Sequence, residues 1–403
     1  MQNFNSTELV AIGEWYSKSI VNVYITKEDL ALAGKEHALL VMNHAYETDW
    51  LFGWLFCDKV GVLGNCKAYA KKVISYIPTI GWSWKFAEFV FLERSFDKDK
   101  IIITNQLNEI FDYPDPVWLL LNAEGTRFTK SKHDASVKFA QERGMPILNH
   151  HLIPRTKGFT ASLPVLKKKC PAIMDVQLVF NVNDKDEPTI LNLLRGKKMT
   201  AHLYVRRVSM SEVPDDEKEA AKWLQELFVR KDKLQTSFHK TGDFFKDTDI
   251  SPVEPIQFKP RPATLINWVI WMILAMLPIL YLLLTLILSG SIASVAIGFG
   301  VLVACKFTFQ FLNRTLLNLF HFSSHAFEFR HRNNTNRSRI KLRWTKERQK
   351  RNINHDMLRM LWSNDQTHFF FAKIPKNLRF FCFRYSRIRK LLRKIDVFHN
   401  YGM

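Results

Sequence analysis

The chain has few cysteines and no paired arrangement of them. Five occur among 403 residues, scattered and odd in number. Disulfide frameworks use even numbers of cysteines, and zinc sites use Cys or His pairs at short spacing. Neither pattern is present, so we expect reduced thiols, no disulfide framework and no metal site.

Two other features are missing from the sequence. The N-terminus lacks the basic region, apolar core and small-residue cleavage site of a secretory signal, so we expect no cleaved signal. The chain also has no Gly-x-Ser-x-Gly segment, which presents a nucleophilic serine in many hydrolases. We therefore expect no covalent intermediate on such a serine.

Charged side chains are absent from residues 263–305, a stretch of 43 residues. One bilayer crossing needs about 20 apolar residues, so two crossings fit. Ser289-Gly290-Ser291 supplies a tight turn between them, and basic residues on both flanks favour cytoplasmic ends. The sequence predicts a transmembrane helical hairpin over 263–309. One long tilted crossing with a re-entrant segment is an alternative, as is a pair of soluble core helices.

Positive charge is concentrated after this apolar stretch. From Phe311 onward there are 21 Lys and Arg against 5 Asp and Glu, which gives +16 of the total +20. Aromatic residues are interleaved with the basic ones, as in Phe369-Phe370-Phe371. This composition favours an anionic lipid surface as partner. We expect no nucleic acid partner, because no zinc-finger or RNA-binding signature is present. A tail with no partner is the remaining alternative.

Short apolar runs alternate with amphipathic segments before the linker. Runs rich in branched or aromatic residues predict strands at 38–42, 89–92, 117–121, 173–180 and 203–208. Helical spacing predicts an N-terminal helix from Leu9 to Val23, helices at 50–56 and 103–111, and a closing helix from Pro214 to Leu234. Alternation of strands and helices predicts an α/β fold. The predicted organisation is a catalytic domain at 1–250, a Pro-rich linker at 251–262, the membrane hairpin at 263–309 and a basic aromatic-rich tail at 310–403.

A histidine and an aspartate follow the first of these runs, in Asn-His-Ala-Tyr-Glu-Thr-Asp at 43–49. Histidine can accept a proton near neutrality, and a carboxylate orients its ring and stabilises the imidazolium. On one helix, His44 and Asp49 would lie roughly 140° apart, so their contact requires a non-helical His44 just before the helix that carries Asp49. The plain alternative is an ordinary strand-to-helix junction.

A cationic turn, Glu124-Gly125-Thr126-Arg127, follows the run at 117–121. Glycine permits a tight turn, threonine donates to an anionic oxygen, and arginine offers a planar fork that matches phosphate. Arg94 and the pair Lys157-Gly158 are further cationic candidates, and Lys157 serves best if Gly158 opens a helix. Each of these is alternatively a solvated surface charge. Together with the histidine, they predict acyl transfer to a phosphorylated alcohol.

These blocks resemble the glycerolipid acyltransferases in order and spacing. They are His44-x4-Asp49, the Phe-Leu-Glu-Arg block ending at Arg94, the segment 124–127, and Leu-Ile-Pro-Arg-Thr-Lys-Gly-Phe from Leu152. The resemblance runs from about Glu14 to Gly242 and is greatest to the 1-acylglycerol-3-phosphate (lysophosphatidic acid) acyltransferase family, in its gamma, delta and epsilon branch.

The resemblance implies an α/β fold with a mixed sheet flanked by helices, and the membrane hairpin predicted above follows this fold in the chain. It implies acyl-CoA-dependent acylation of the sn-2 hydroxyl of lysophosphatidic acid to phosphatidic acid. By the same resemblance, His44 is the general base and Asp49 supports it. Arg94, the segment Glu124 to Arg127 and Lys157-Gly158 bind substrate.

No cofactor or metal is implied by the resemblance, because acyl-CoA is a co-substrate. The expected partners are acyl-CoA, a lysophospholipid and membrane lipid, and the expected location is the endoplasmic reticulum membrane with several crossings. Two alternative functions stay open. One is acylation of another lysophospholipid, such as lysophosphatidylinositol or a lysocardiolipin, and the other is a non-catalytic membrane-binding scaffold.

Overall fold

The computed structural model describes residues 2–77, 80–93, 95–181, 184, 186–303 and 306–307, with every side chain except those of residues 2–6, 80 and 96. The candidate residue Arg94 and the predicted tail at 310–403 lie outside the described residues. The chain divides into two compact units, Met1–Thr285 and Leu286–Met403. The first unit contains the sheet and the candidate site.

A mixed sheet of eight strands forms the centre of the first unit, as far as the described residues show. The order is β4-β3-β5-β2-β6-β7-β1-β8, and β2 to β6 run parallel to one another. β7 is antiparallel to β6, β1 is parallel to β7, and β8 is antiparallel to β1. The strands are β1 Ile20–Tyr24, β2 Ala38–Met42, β3 Cys66–Lys71, β4 Val90–Leu92, β5 Trp118–Leu121, β6 Ala172–Phe180, β7 Thr200–Ser209 and β8 Pro255–Gln257.

Helices cover both faces of this sheet. In chain order, the helices of the described residues include α1 Gln2–Ala11, α2 Lys27–Leu32, α3 Asp49–Lys59, α4 Ile80–Phe86, α5 Phe96–Ile110, α6 Lys130–Glu142, α7 Thr156–Lys169, α8 Ile190–Leu194 and α9 Glu217–Thr241, followed by the exposed helix α10 Pro262–Leu288 and, in the second unit, α11 Ile292–Val303. β2 is buried along its whole length, because Leu39 and Val41 pack into one core and Leu40 and Met42 into the other. A strand buried on both faces is continuously apolar, which explains its sequence.

The five strands predicted from apolar runs are confirmed, and so are the predicted helices at 50–56, 103–111 and in the segment before the linker. The predicted helix from Leu9 to Val23 is wrong beyond Ala11. A π-helical turn, Ile12–Tyr16, follows α1, and the chain then enters β1. Val23 is 1% exposed and β1 pairs with β7. Burial in the sheet therefore overrides the helical spacing of this segment.

One helix among the described residues, α10, is long and apolar enough to cross a membrane. Its 27 residues correspond to about 40 Å at the helical rise. Its start is anchored to the first unit, because Trp15 Nε1 donates to Thr264 Oγ1 at 3.1 Å and Arg261 Nη1 donates to Asp58 Oδ1 at 3.2 Å. α11 is apolar but too short for a full crossing. The first predicted crossing is thus a helix, whereas the hairpin stays a prediction.

Candidate active site

His44 and Asp49 meet at the carboxyl end of β2. The strand ends at Met42, His44 follows outside any helix, and Asp49 is the first residue of α3. His44 Nδ1 lies 2.9 Å from Asp49 Oδ2. The backbone N–H of Tyr46 donates to both carboxylate oxygens of Asp49, at 3.1 and 3.0 Å. The turn therefore holds the carboxylate in place against one nitrogen of the imidazole.

The two side chains of this pair differ in their access to solvent. The side chain of His44 is 29% exposed, whereas that of Asp49 is 2% exposed. Burial raises the pKa of Asp49, although the hydrogen bond with His44 acts in the opposite direction. An imidazole that is reachable from outside and backed by a buried carboxyl group is the arrangement that a general base requires.

Glu124 connects the histidine turn to two other segments. Its Oε1 accepts the backbone N–H of His44 at 2.9 Å, and its Oε2 accepts that of Leu152 at 3.0 Å. The residue is 2% exposed, and burial raises the pKa of its carboxyl group. With both oxygens engaged by backbone amides, Glu124 fixes the distance between the strand ends that carry the site.

The cationic turn lies directly beside His44. The backbone N–H of Phe128 donates to the carbonyl oxygen of His44 at 2.7 Å. Arg127 Nη1 lies 2.9 Å from Glu47 Oε1, within the same turn as His44. The imidazole and the guanidinium, which are distant in sequence, therefore share one edge of the sheet.

Gly125 has a φ of +70°, in the left-handed region that favours glycine. A Cβ atom at this position would lie 2.8 Å from Arg155 Cδ. Lys132 Nζ donates to Thr126 Oγ1 at 2.8 Å and to the carbonyl oxygen of Arg127 at 3.0 Å. The turn is thus held by contacts on both of its sides.

The first turn of α7 approaches the same site. The backbone N–H of Arg155 donates to the carbonyl oxygen of Ala123 at 2.7 Å, and α7 begins at Thr156. Lys157 and Gly158 therefore belong to the first turn, whose free amides and positive dipole end favour anions. Lys157 is exposed to solvent. Of the cationic candidates, Arg127 and Lys157 are brought to this edge, and Arg94 lies outside the described residues.

Several residues that support the site carry no signal in the motifs above. Asn43 exchanges two hydrogen bonds with the backbone of Leu178, at 2.9 and 2.8 Å. Asp232 on α9 accepts the backbone N–H groups of Asn149 and His150, at 2.8 and 2.7 Å, and so positions the segment that reaches Leu152. The pairing of Arg127 with Glu47 was also not predicted. The position of Glu47 between His44 and Asp49 is the sequence feature that could have indicated it.

The chain is similar to known proteins over most of its length. Residues 22–160 match the family profile "Acyltransferase", and residues 192–271 match "Acyltransferase C-terminus". The 1-acyl-sn-glycerol-3-phosphate acyltransferase delta of Mus musculus is 39% identical over 300 residues, which is 74% of this chain and 76% of that protein. The gamma protein of Homo sapiens is 40% identical over 303 residues, or 75% of this chain and 78% of that protein. The delta protein of Homo sapiens is 38% identical over 291 residues, or 72% and 75% of the two chains.

The match over residues 22–160 spans the candidate site, from the strand before His44 to the first turn of α7. The protein is an enzyme that transfers acyl groups, and the chain belongs to the 1-acyl-sn-glycerol-3-phosphate acyltransferase family, in the branch that contains its delta and gamma members.

Proposed function

We propose that the protein transfers an acyl group from acyl-CoA to the sn-2 hydroxyl of lysophosphatidic acid and so forms phosphatidic acid. The observation that carries this proposal is the contact between the His44 turn and the turn containing Arg127. A proton acceptor and a phosphate-matched cation then lie beside each other. The delta and gamma relatives are named for 1-acyl-sn-glycerol-3-phosphate, which supports the same acceptor for this chain.

In the proposed reaction, His44 takes the proton from the acceptor hydroxyl. Its Nδ1 is engaged by Asp49, so Nε2 is the nitrogen left for the proton. The hydroxyl oxygen attacks the thioester carbonyl carbon, the carbon–sulfur bond breaks, and the thiolate of CoA leaves. The imidazolium returns the proton to that sulfur. Asp49 stabilises the imidazolium while it carries the charge.

Cations at the sheet edge bind the phosphate of the acceptor in this proposal. The guanidinium of Arg127 is a third exposed and can form two parallel hydrogen bonds to phosphate oxygens. Arg127 is paired with Glu47, so phosphate binding exchanges one anionic partner for another. Lys157 and the free amides of α7 add positive potential on the other side. Arg94 fits the same role by its motif.

The membrane setting follows from α10. Both the acceptor and the product are lipids, and α10 supplies a bilayer anchor. We propose that the protein lies in the endoplasmic reticulum membrane, with α10 as one crossing and the uncharged stretch 263–305 as the predicted hairpin. Protease protection of tags placed on either side of residues 262–303 tests this topology. A hairpin leaves both tags on the same side of the membrane.

The proposal is tested with the purified full chain in detergent, one acyl-CoA and a panel of acceptors, with CoA thiol release as the readout. Lysophosphatidic acid should give the highest kcat/KM, and mass spectrometry should find the new ester at sn-2. A higher value for lysophosphatidylinositol or a lysocardiolipin would replace the acceptor. If no acceptor released CoA, the scaffold alternative would take the place of the enzyme.

A further inference from the structure

An exposed apolar surface lies between β3 and β4, and the reaction described above does not use it. It is formed by the 3-10 turn Lys72–Tyr76, the residue after it, and α4. Its large side chains and their exposed fractions are Val73 67%, Tyr76 67%, Ile77 42%, Trp82 54% and Phe86 82%. We call these five residues the β3–β4 surface. Contiguous apolar patches of this kind mark sites of interaction in soluble parts of proteins.

Defined contacts shape this surface. The backbone N–H of Gly81 donates to the carbonyl oxygen of Ile77 at 2.8 Å. A Cβ atom on Gly81 would lie 2.2 Å from the carbonyl oxygen of Ile74, so only glycine lets α4 pack so closely on the turn. Lys85 Nζ lies 5.5 Å from the centre of the Tyr76 ring, so α4 also contacts the 3-10 turn through these side chains. The apolar side chains are therefore presented together.

The surface begins at the edge of the sheet that carries the candidate site. β3 is parallel to β5 and β5 is parallel to β2, so their carboxyl ends meet at one edge. β3 is two strands away from β2, about 10 Å across the sheet. The turn after Lys71 thus lies at the same edge as His44.

The surface also shares a face of the sheet with the start of α10. The connections from β2 to β3 and from β3 to β4 move in the same direction across the sheet. Because such crossovers are right-handed, α4 lies on the face that α3 covers, and α5, which returns, lies on the other. α10 is tied to the end of α3 through Arg261 and Asp58. The exposed apolar residues and the membrane-length helix therefore occur on one face.

The charges around the surface indicate which partner covers it. Lys71, Lys72 and Lys85 are exposed among the apolar side chains, and Lys72 is paired with Glu93. Tyr and Trp are enriched where protein meets the membrane interface, and lysines beside them are attracted to anionic lipid headgroups. The combination fits the boundary between headgroups and acyl chains.

We propose that the β3–β4 surface rests in the interface of a phospholipid bilayer that contains anionic lipid. The sheet edge with His44 then faces the bilayer, from which a lipid acceptor enters the site. This inference rests on the proposed function only for the statement that the acceptor is a lipid. The competing occupants of the surface are the C-terminal segment of this chain and a second copy of it.

The test is photo-cross-linking of the full chain in vesicles of phosphatidylcholine and phosphatidylserine. The probe variant is Tyr76→p-benzoylphenylalanine, and the matched control is Ile101→p-benzoylphenylalanine on α5, because the native residues are 67% and 64% exposed. A second probe variant, Trp82→p-benzoylphenylalanine, covers the case in which the first does not fold. Adducts are identified by mass spectrometry after irradiation.

The expected result is phospholipid adducts at position 76 or 82 that are several times more abundant than those at position 101. The proposal is overturned by adducts with residues of the C-terminal segment, by adducts with a second copy, or by equal lipid labelling at position 101. Absence of any lipid adduct at both probe positions also overturns it. No acyl donor or acceptor is present in this experiment. Its outcome is therefore separate from that of the acylation assay.

Discussion

Two glycines with the same backbone conformation provide a matched test of the cationic turn. Gly125 has a φ of +70° and Gly144 has a φ of +63°. A Cβ on Gly125 would lie 2.8 Å from Arg155 Cδ, whereas a Cβ on Gly144 would meet nothing within 4 Å. Gly125→Ala and Gly144→Ala therefore share the cost of a left-handed alanine, and they differ in the contact at the site.

The expected loss of stability is similar for the two variants. An alanine in the left-handed region costs about 1–2 kcal/mol. For a unit of this size, that lowers Tm by about 2–8 °C. The extra contact of Gly125→Ala adds little to this loss, since the exposed side chain of Arg155 can move away. Activity should differ, because the displaced Arg155 directly precedes the first turn of α7 at the site, and a displacement on the order of 1 Å there can lower the rate about 10²-fold.

The assay combines thermal unfolding in detergent with kcat/KM for acyl transfer to lysophosphatidic acid. Gly144→Ala should lose stability and keep its kcat/KM, and Gly125→Ala should lose both. If Gly125→Ala kept full activity, the conformation of the cationic turn would not matter to the reaction. Equal loss of activity in the two variants would mean that stability, and not the geometry of the site, limits the measured rate.

Two further predictions concern buried charge on α9. Lys231 and Asp175 are 0% and 1% exposed and lie 2.6 Å apart. Lys231→Met should lower the free energy of unfolding by about 3–5 kcal/mol, because buried Asp175 then keeps only Arg206 as a partner, at 3.5 Å. The control Lys222→Met removes an exposed pair on the same helix and should change it by less than about 0.5 kcal/mol. Burial and the neighbouring His150 lower the pKa of His239 to about 4. Between about pH 6.5 and 4, His239 therefore binds a proton in the unfolded chain but not in the folded chain, so the parent loses stability as the pH falls through this range. His239→Gln lacks this group and should lose less stability than the parent on acidification from about pH 7 to about pH 5.

Urea unfolding measures both effects. An equal change for Lys231→Met and Lys222→Met would show that the buried pair contributes no more than a surface pair. A parallel loss of stability with pH in the parent and in His239→Gln would show that His239 titrates alike in the folded and unfolded chains. Each comparison uses one helix, so differences in local helix propensity stay small.

Five of the eight strands in the described residues, and the sheet edge that carries the candidate site, were predictable because they depend on local sequence. A continuous apolar run such as 38–42 fits a strand that is buried on both faces, and the polar residues just after it must lie at the sheet edge. Helix geometry predicted the condition for contact between His44 and Asp49, a non-helical His44 just before the helix that carries Asp49, and the structure meets this condition. For these features, local pattern and tertiary structure agree.

Other features depend on contacts that sequence spacing does not encode. The helical spacing of residues 9–23 predicts a helix through β1. The strand forms instead because β1 pairs with β7, which joins residues about 180 positions apart. The role of Glu124 as an acceptor for two backbone amides requires the loops of β2, β5 and α7 to be placed first. The pairing of Glu47 with Arg127 and the anchoring by Asp232 were missed for the same reason.

His44 is the proposed proton acceptor in acyl transfer, and a second histidine, at the other end of β2, provides its control. His37 lies just before β2, and its Nδ1 accepts the backbone N–H of Val117 at 3.0 Å. His37→Ala therefore changes the opposite end of the strand that leads to His44. CoA release from acyl-CoA and lysophosphatidic acid should fall by about 10² to 10⁴-fold in His44→Ala and by less than about tenfold in His37→Ala. A folded His44→Ala protein with activity within about tenfold of the parent would contradict the account.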